Sequence, residues 1–199
     1  MLKIYHANVK KLDTNPACRQ LSNYRMDRIR QVKSEKKIKE SVGAELLLNH
    51  AVKSCFPGIV LPLNIVCAEY GKPKIADAKF QFSLSHSEWH ALCAISDRIV
   101  GADIQLTAKF NDGISRRFFA ESEQSYILSQ TDRDAAFTEI WCKKESYIKA
   151  LGTGLSTPLE SFSVIGRGDI FHTVVGSYHI AICVPDGIAE PIEITEISL

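Results

Sequence analysis

Three oxygen-bearing side chains stand out by type and spacing. In the run VGADIQ, Asp103 and Gln105 are two residues apart, so in a strand they emerge on one face while Val100, Ala102 and Ile104 take the other. Aspartate is depleted in strands, which marks Asp103 in so apolar a run. Downstream, in WCKKESYIKALGTG, Trp141, Glu145 and Lys149 recur every four residues and share one helix face. Glutamate four residues before lysine is also a common solvated pair that stabilises a helix by roughly 0.2–0.5 kcal/mol, so this spacing alone does not assign Glu145 a role. Joined to Asp103 and Gln105 from a strand, it completes the hard oxygen ligands that Mg²⁺ takes when it also binds a phosphate-bearing substrate. The same residue types permit Mn²⁺.

Donors suited to phosphate oxygens lie upstream. Ser85 and His86, in the SHS of residues 85–87, follow a strand pattern and offer hydroxyl and imidazole groups. Lys72 sits in the turn signal GKPK, where Gly71 and Pro73 fix the backbone and present the lysine at the tip. Between positions 25 and 39 seven basic residues face only two acids, Asp27 and Glu35, in a chain whose formal net charge is +1. Each feature alone also fits a solvated turn or helix face.

The elements that must position these groups follow from periodicity. Residues 21 to about 54 predict one long or two short helices, with a break near Gly43. AKFQFSLSHS alternates strictly, Phe80, Phe82 and Leu84 against Gln81, Ser83 and Ser85, which predicts a half-buried strand. WHALCAIS and RIVGADIQL predict two more strands joined by a turn at residues 96–98. Residues 113–130 and 134–151 predict helices, the second ended by Gly152 and Gly154, and SFSVIG, FHTVVG, SYHIAICV and PIEITEISL predict short strands. Two echoes, WHALCAI at 89 with YHIAICV at 178 and KES at 39–41 with KES at 144–146, keep the order helix before strand and point to two similar α+β halves.

Bulk properties narrow the rest. A chain of 199 residues with 45% hydrophobic and 24% charged residues is an ordinary globular protein that can bury a substantial core. Near-neutral charge argues against wholesale coating of nucleic acid or an anionic membrane. No stretch approaches the ~20 apolar residues of a membrane helix, and MLKIYHANVK lacks the apolar region of a secretory signal, so the expected compartment is the cytoplasm. Six scattered cysteines without a CxxC or CxxH pair give no sign of a zinc site or disulfide framework.

Taken in order, the basic helix, EYGKP, FSLSHS, VGADIQ, RRFFAESE and WCKKESYIKALGTGLSTPLESFSV make the chain resemble the Sfp-type 4'-phosphopantetheinyl transferases over roughly residues 20–184. The resemblance is sharpest from Trp141 to Val164. It implies an enzyme that moves the phosphopantetheine arm of coenzyme A onto a serine of an apo acyl or peptidyl carrier protein and releases 3',5'-ADP. It also implies an α+β fold of two halves related by a pseudo-twofold, residues 1–99 and 100–199, with coenzyme A in the cleft between them. Such an internal pair points to a monomer. Asp103 and Glu145 match the family's Mg²⁺ ligands and Lys149 the lysine that reaches the pyrophosphate. Lys72, Ser85 and His86 match phosphate contacts, Ser41 a hydroxyl contact to the coenzyme, and Arg25 and Arg28 basic residues at its 3'-phosphate. Glu123 matches a glutamate assigned to proton transfer, so the base is Glu145 or Glu123. Arg116, Arg117, Phe118 and Phe119 are candidates for docking the carrier's acidic helix. Gln105 departs from the family, where many members carry glutamate; its amide oxygen can ligate but brings no charge. That departure motivates one alternative, a non-catalytic relative that binds coenzyme A or carrier; a third reading, a Mg²⁺-dependent hydrolase of nucleotide diphosphates, would want more clustered acids than ADIQ and KKES provide.

Overall fold

The computed structural model describes residues 1–199 except Glu69, Asp77 and Glu190, and the backbone but not the side chain of Leu155. The first half runs β1 (Leu2–Asn8), α1 (Thr14–Ala17), α2 (Asn23–Ile29), α3 (Glu35–Cys55), β2 (Ile65–Cys67), β3 (Pro73–Ile75), β4 (Gln81–Ser87) and β5 (His90–Ser96). The second runs β6 (Gly101–Leu106), α4 (Asp112–Phe118), α5 (Glu121–Ser129), α6 (Arg133–Leu151), β7 (Ile170–Val175), β8 (Tyr178–Cys183) and β9 (Ile194–Glu196). The class is α+β, as the echoes suggest. One sheet has the order β4-β5-β1-β9, another β6-β8-β7, and β2 pairs with β3. The echoed strands β5 and β8 are both central in their sheets, and the two KES runs fall on the long helices α3 and α6. The chain does turn at residues 97–98, but β5 and β6 enter different sheets. β9 returns to pair in parallel with β1, so the last strand belongs to the first sheet.

Alternation of small apolar residues explains the layering. In β5, Ala91, Cys93 and Ile95 pack against Leu47, Leu48 and Val52 of α3, while Leu92 and Ala94 face Val100, just before β6, Ala102 and Ile104 of β6, and Ile180 and Ile182 of β8. On the far side Ala181 and Cys183 meet Phe137, Ile140 and Cys142 of α6. The order of layers is therefore helix, sheet, sheet, helix, and strands covered on both faces lose their polar face. That corrects the half-buried reading of β4. Ser83 and Ser85 are buried because β4 and β6 are sheet edges that lie side by side. Ser83 Oγ accepts from Ala102 N at 2.9 Å and Ser87 Oγ from Leu106 N at 3.2 Å, so the serine comb of β4 satisfies the open backbone edge of β6.

Other departures have local causes. The break in the first helical stretch falls at residues 30–34, where Ser34 caps α3, and α3 runs through Gly43 unbroken. A side chain at Gly43 would place Cβ 2.3 Å from Val9 Cγ1, so the glycine serves close packing. Residues 113–130 split at Phe119, whose extended backbone sends its ring into the core. SFSVIG is not a strand, because the carbonyls of Leu159 and Phe162 accept from the buried Lys144 ammonium instead of a neighbouring strand. Gly101 opens β6 against α6 so closely that a Cβ there would lie 2.0 Å from Ser146 O and 2.3 Å from Ala150 N. Among the described residues no helix is long and apolar enough to cross a membrane.

Candidate active site

β6 delivers Asp103 to a buried position facing α6, while Val100, Ala102 and Ile104 anchor the strand on its other face. α6 starts at an Asp132 cap and ends at Gly152, whose φ of 73° is the left-handed conformation that glycine adopts freely. Four-residue spacing then points Glu145 and Lys149 the same way. Lys149 Nζ reaches Asp103 Oδ1 at 2.5 Å and Ser85 Oγ at 2.9 Å, and Ser85 Oγ donates to the same Asp103 oxygen at 2.7 Å. Asp103, Ser85 and Lys149 thus meet where β6, β4 and α6 come together.

Glu145 stands apart from these pairings. Among the described residues its carboxylate meets no hydrogen-bond donor, and burial together with the negative charge of Asp103 pushes its pKa up, against a smaller opposing pull from Lys149. Two neighbouring carboxylates, one of them unpaired, suit a divalent cation. Among the described residues no group of three His, Cys, Asp or Glu side chains could hold a metal by themselves, so a cation here would draw remaining ligands from water or substrate. Gln105 lies beside them but is turned inward. Its Nε2 donates to Asp103 Oδ2 at 3.1 Å and its Oε1 accepts from Ser87 at 3.4 Å.

One cavity adjoins the cluster and a second lies against His86. The first, of about 350 Å³, is lined by Tyr70, Lys72, Phe82, Glu145, Ile148 and Lys149 and is largely apolar. Lys72 is not presented at a turn tip: its Nζ turns inward to donate to Val100 O at 3.1 Å and Ala150 O at 3.2 Å, and burial lowers its pKa to about 8. The other, of about 450 Å³, is lined by Arg25, Arg28, Lys37, Ser41 and His86. Arg25 is itself buried, bonding Glu45 at 3.1 Å and Ser41 Oγ at 2.7 Å, whereas Arg28 is exposed.

Glu123 is placed elsewhere. It is fully buried, pairs with Lys144 at 2.7 Å, and accepts from Ala120 N at 2.9 Å and Val164 N at 2.8 Å. None of these partners belongs to the Asp103 cluster. Arg116 and Arg117 are exposed, the first bonded to Asp112 at 2.8 Å and the second lying 5.0 Å from the Phe118 ring centroid. Phe119 is 1% exposed, a core residue unavailable for docking. Sequence reasoning missed Glu40, which accepts from Trp89 N at 2.9 Å and pairs with His86 Nδ1 at 3.2 Å. The first KES echo, at residues 39–41, was the signal for it.

Residues 99–183 match the family profile described as the 4'-phosphopantetheinyl transferase superfamily. Over this stretch the chain is similar to that superfamily, and several of the curated proteins it matches are named 4'-phosphopantetheinyl transferases. It is 43% identical over 100 residues to the 4'-phosphopantetheinyl transferase Sfp of Bacillus subtilis (strain 168), a match covering 48% of this chain and 44% of that one. It is 42% identical over 96 residues to the 4'-phosphopantetheinyl transferase gsp of Aneurinibacillus migulanus, covering 47% and 40%. A further 4'-phosphopantetheinyl transferase of Bacillus subtilis is 38% identical over 125 residues, covering 60% and 51%. The chain thus spans about half the length of the curated relatives it matches.

Proposed function

We propose that this chain transfers the 4'-phosphopantetheine arm of coenzyme A to a serine of an apo acyl or peptidyl carrier protein, with Mg²⁺ and with release of 3',5'-ADP. The observation that carries the reading is the meeting of Lys149, Ser85 and Asp103 beside an unpaired Glu145, at the mouth of a cavity. Asp103, Glu145 and, more weakly, Gln105 would hold the cation, which when bound supplies charge neutralisation on the diphosphate. Lys149 brings a positive charge already held in place, so no reorganisation is needed as charge develops on the leaving oxygen. Lys72, Ser85, His86, Ser41, Arg25 and Arg28 receive the coenzyme's phosphates along the two cavities. Glu145, directly or through water, takes the proton of the incoming serine hydroxyl. Its raised pKa suits that task. Glu123 is the weaker candidate, since its oxygens are engaged by Lys144 and two backbone amides. Arg116 and Arg117 are offered to the acidic helix of the carrier. A chain that supplies both sides of the cleft needs no second copy, which supports a monomer, and the reading places it in the cytoplasm.

The test is the intact mass of apo acyl and apo peptidyl carrier proteins after incubation with the protein, coenzyme A and Mg²⁺. A gain of one phosphopantetheine that excess EDTA prevents is the expected result. Coenzyme A binding without any gain on either carrier would favour a non-catalytic binder, and coenzyme A hydrolysis without carrier would favour a hydrolase. Gln105→Ala is expected to keep turnover within about tenfold, the weight of one neutral hydrogen bond, because its amide bonds protein groups and adds no charge. Loss as complete as that of Asp103→Ala, read as metal-dependent turnover, would make Gln105 a required ligand.

A further inference from the structure

The hairpin between β4 and β5 turns on Glu88 and Trp89, whose φ values of 42° and 71° are positive although neither is glycine. Two-residue hairpin turns of this kind favour Asn-Gly or Gly-Gly, and bulky residues persist there only where the surroundings hold them. Here the turn is tied on several sides. Lys36 Nζ bonds the Glu88 carboxylate at 2.7 Å, the Tyr178 hydroxyl donates to Glu88 O, Val9 N donates to Trp89 O at 2.8 Å, and Trp89 N donates to Glu40 Oε1 at 2.9 Å. The other oxygen of Glu40 lies 3.2 Å from His86 Nδ1, and the Glu40 side chain is 5% exposed while that of His86 is 37% exposed. One buried carboxylate thus grips both the strained turn and the imidazole that lines the basic cavity.

A carboxylate only accepts hydrogen bonds, so the proton of a neutral His86 must sit on Nδ1, and Nε2 is left for the cavity. We propose that Glu40 is a positioning residue that fixes the tautomer and orientation of His86, so that Nε2 is offered to a phosphate group of the coenzyme. This rests on the transferase reading for the identity of the anion. An arriving anion needs a proton on Nε2, and the carboxylate behind the ring stabilises the doubly protonated imidazole that results. The charges facing His86 divide by element: Glu40 from α3 favours that proton, whereas Arg25 from α2 and Lys149 from α6 oppose it. Burial opposes it too, and in the free protein burial wins, holding the His86 pKa below its ordinary value. Glu40 therefore acts through the ring, and it touches no substrate.

Glu40→Gln separates this role from simple support of the turn. The amide oxygen still accepts from Trp89 N, while the amide N–H₂ now faces His86 Nδ1 as a donor and drives the ring proton to Nε2. Long-range ¹H–¹⁵N NMR of the histidine side chains is expected to show an Nδ1–H ring at His86 in the wild type and an Nε2–H ring in Glu40→Gln, with unchanged backbone spectra. The KM for coenzyme A is expected to rise about fivefold in Glu40→Gln, the difference between the charge-assisted bond of an imidazolium held by a carboxylate and the neutral Nε2–H bond that remains, with kcat moving less. Placed on a His86→Ala background, Glu40→Gln should cost nothing more, because Glu40 acts only through the ring. An unchanged tautomer, or a double variant whose effects multiply, overturns the proposal. A wild type that transfers nothing would instead sink the transferase reading, and the tautomer comparison would still decide the role of Glu40.

Discussion

Glu145→Gln is expected to lower phosphopantetheine transfer by about 10³-fold while leaving the thermal midpoint equal to or above that of the wild type. The rate loss follows from removing the one carboxylate near Asp103 that no protein donor engages among the described residues, and a general base contributes roughly 10²–10⁴-fold. The stability gain follows from the same observation. Glutamine keeps the shape, relieves the repulsion from Asp103 and spares a half-hidden charge its desolvation. Single-turnover transfer and a melting curve on one preparation check both parts. Rate and stability falling together would recast Glu145 as a structural member of α6.

Lys144→Met is expected to cost about 3–5 kcal/mol in urea unfolding, the usual penalty for stripping a buried ion of its partner. Lys144 and Glu123 are both fully buried at 2.7 Å from each other, and the lysine also holds Leu159 O at 2.7 Å and Phe162 O at 2.6 Å. Methionine fills the volume but leaves Glu123 charged in the core and two carbonyls without their donor. The companion Glu123→Gln keeps one acceptor oxygen, for Ala120 N or Val164 N, and turns an amide N–H₂ toward the other donor, so it should lose stability while its rate per folded molecule matches the wild type. Full stability in Lys144→Met would mean that the segment after α6 is held by something else. A Glu123→Gln variant that folds but does not transfer would return Glu123 to the role of base.

The residues of the cluster were legible because strand and helix periods are short. Asp103 against Ala102 and Ile104, and Glu145 against Lys149, need only a period of two and a spacing of four to fix which way each points. The glycine stop at residue 152 was equally plain. What escaped was everything decided by pairing across the chain. Ser83 and Ser85 read as a wet strand face, since nothing local says that the edge of β6 lies beside them. Lys72 read as a turn tip, since its acceptors at Val100 and Ala150 come from the other half. Glu123 read as chemistry by likeness to a family, whereas its partner Lys144 sits inside the KES motif itself, where it also holds the carbonyls of Leu159 and Phe162. SFSVIG read as a strand for the same reason: alternation signals two environments, and a buried ammonium can create one of them as well as a sheet can.

Gly101 sets a dimension. Where β6 begins, its backbone rests on the main chain of α6, with room for a hydrogen atom and nothing larger. The strand bearing Asp103 and the helix bearing Glu145 and Lys149 are therefore gauged by peptide groups touching peptide groups. Side chains elsewhere can be exchanged over evolutionary time without resizing that gap, because no side chain stands in it. The two cavities are free to drift in shape and charge with the ligands they meet, while the acid pair and its lysine keep a separation that only a moved strand or helix could alter.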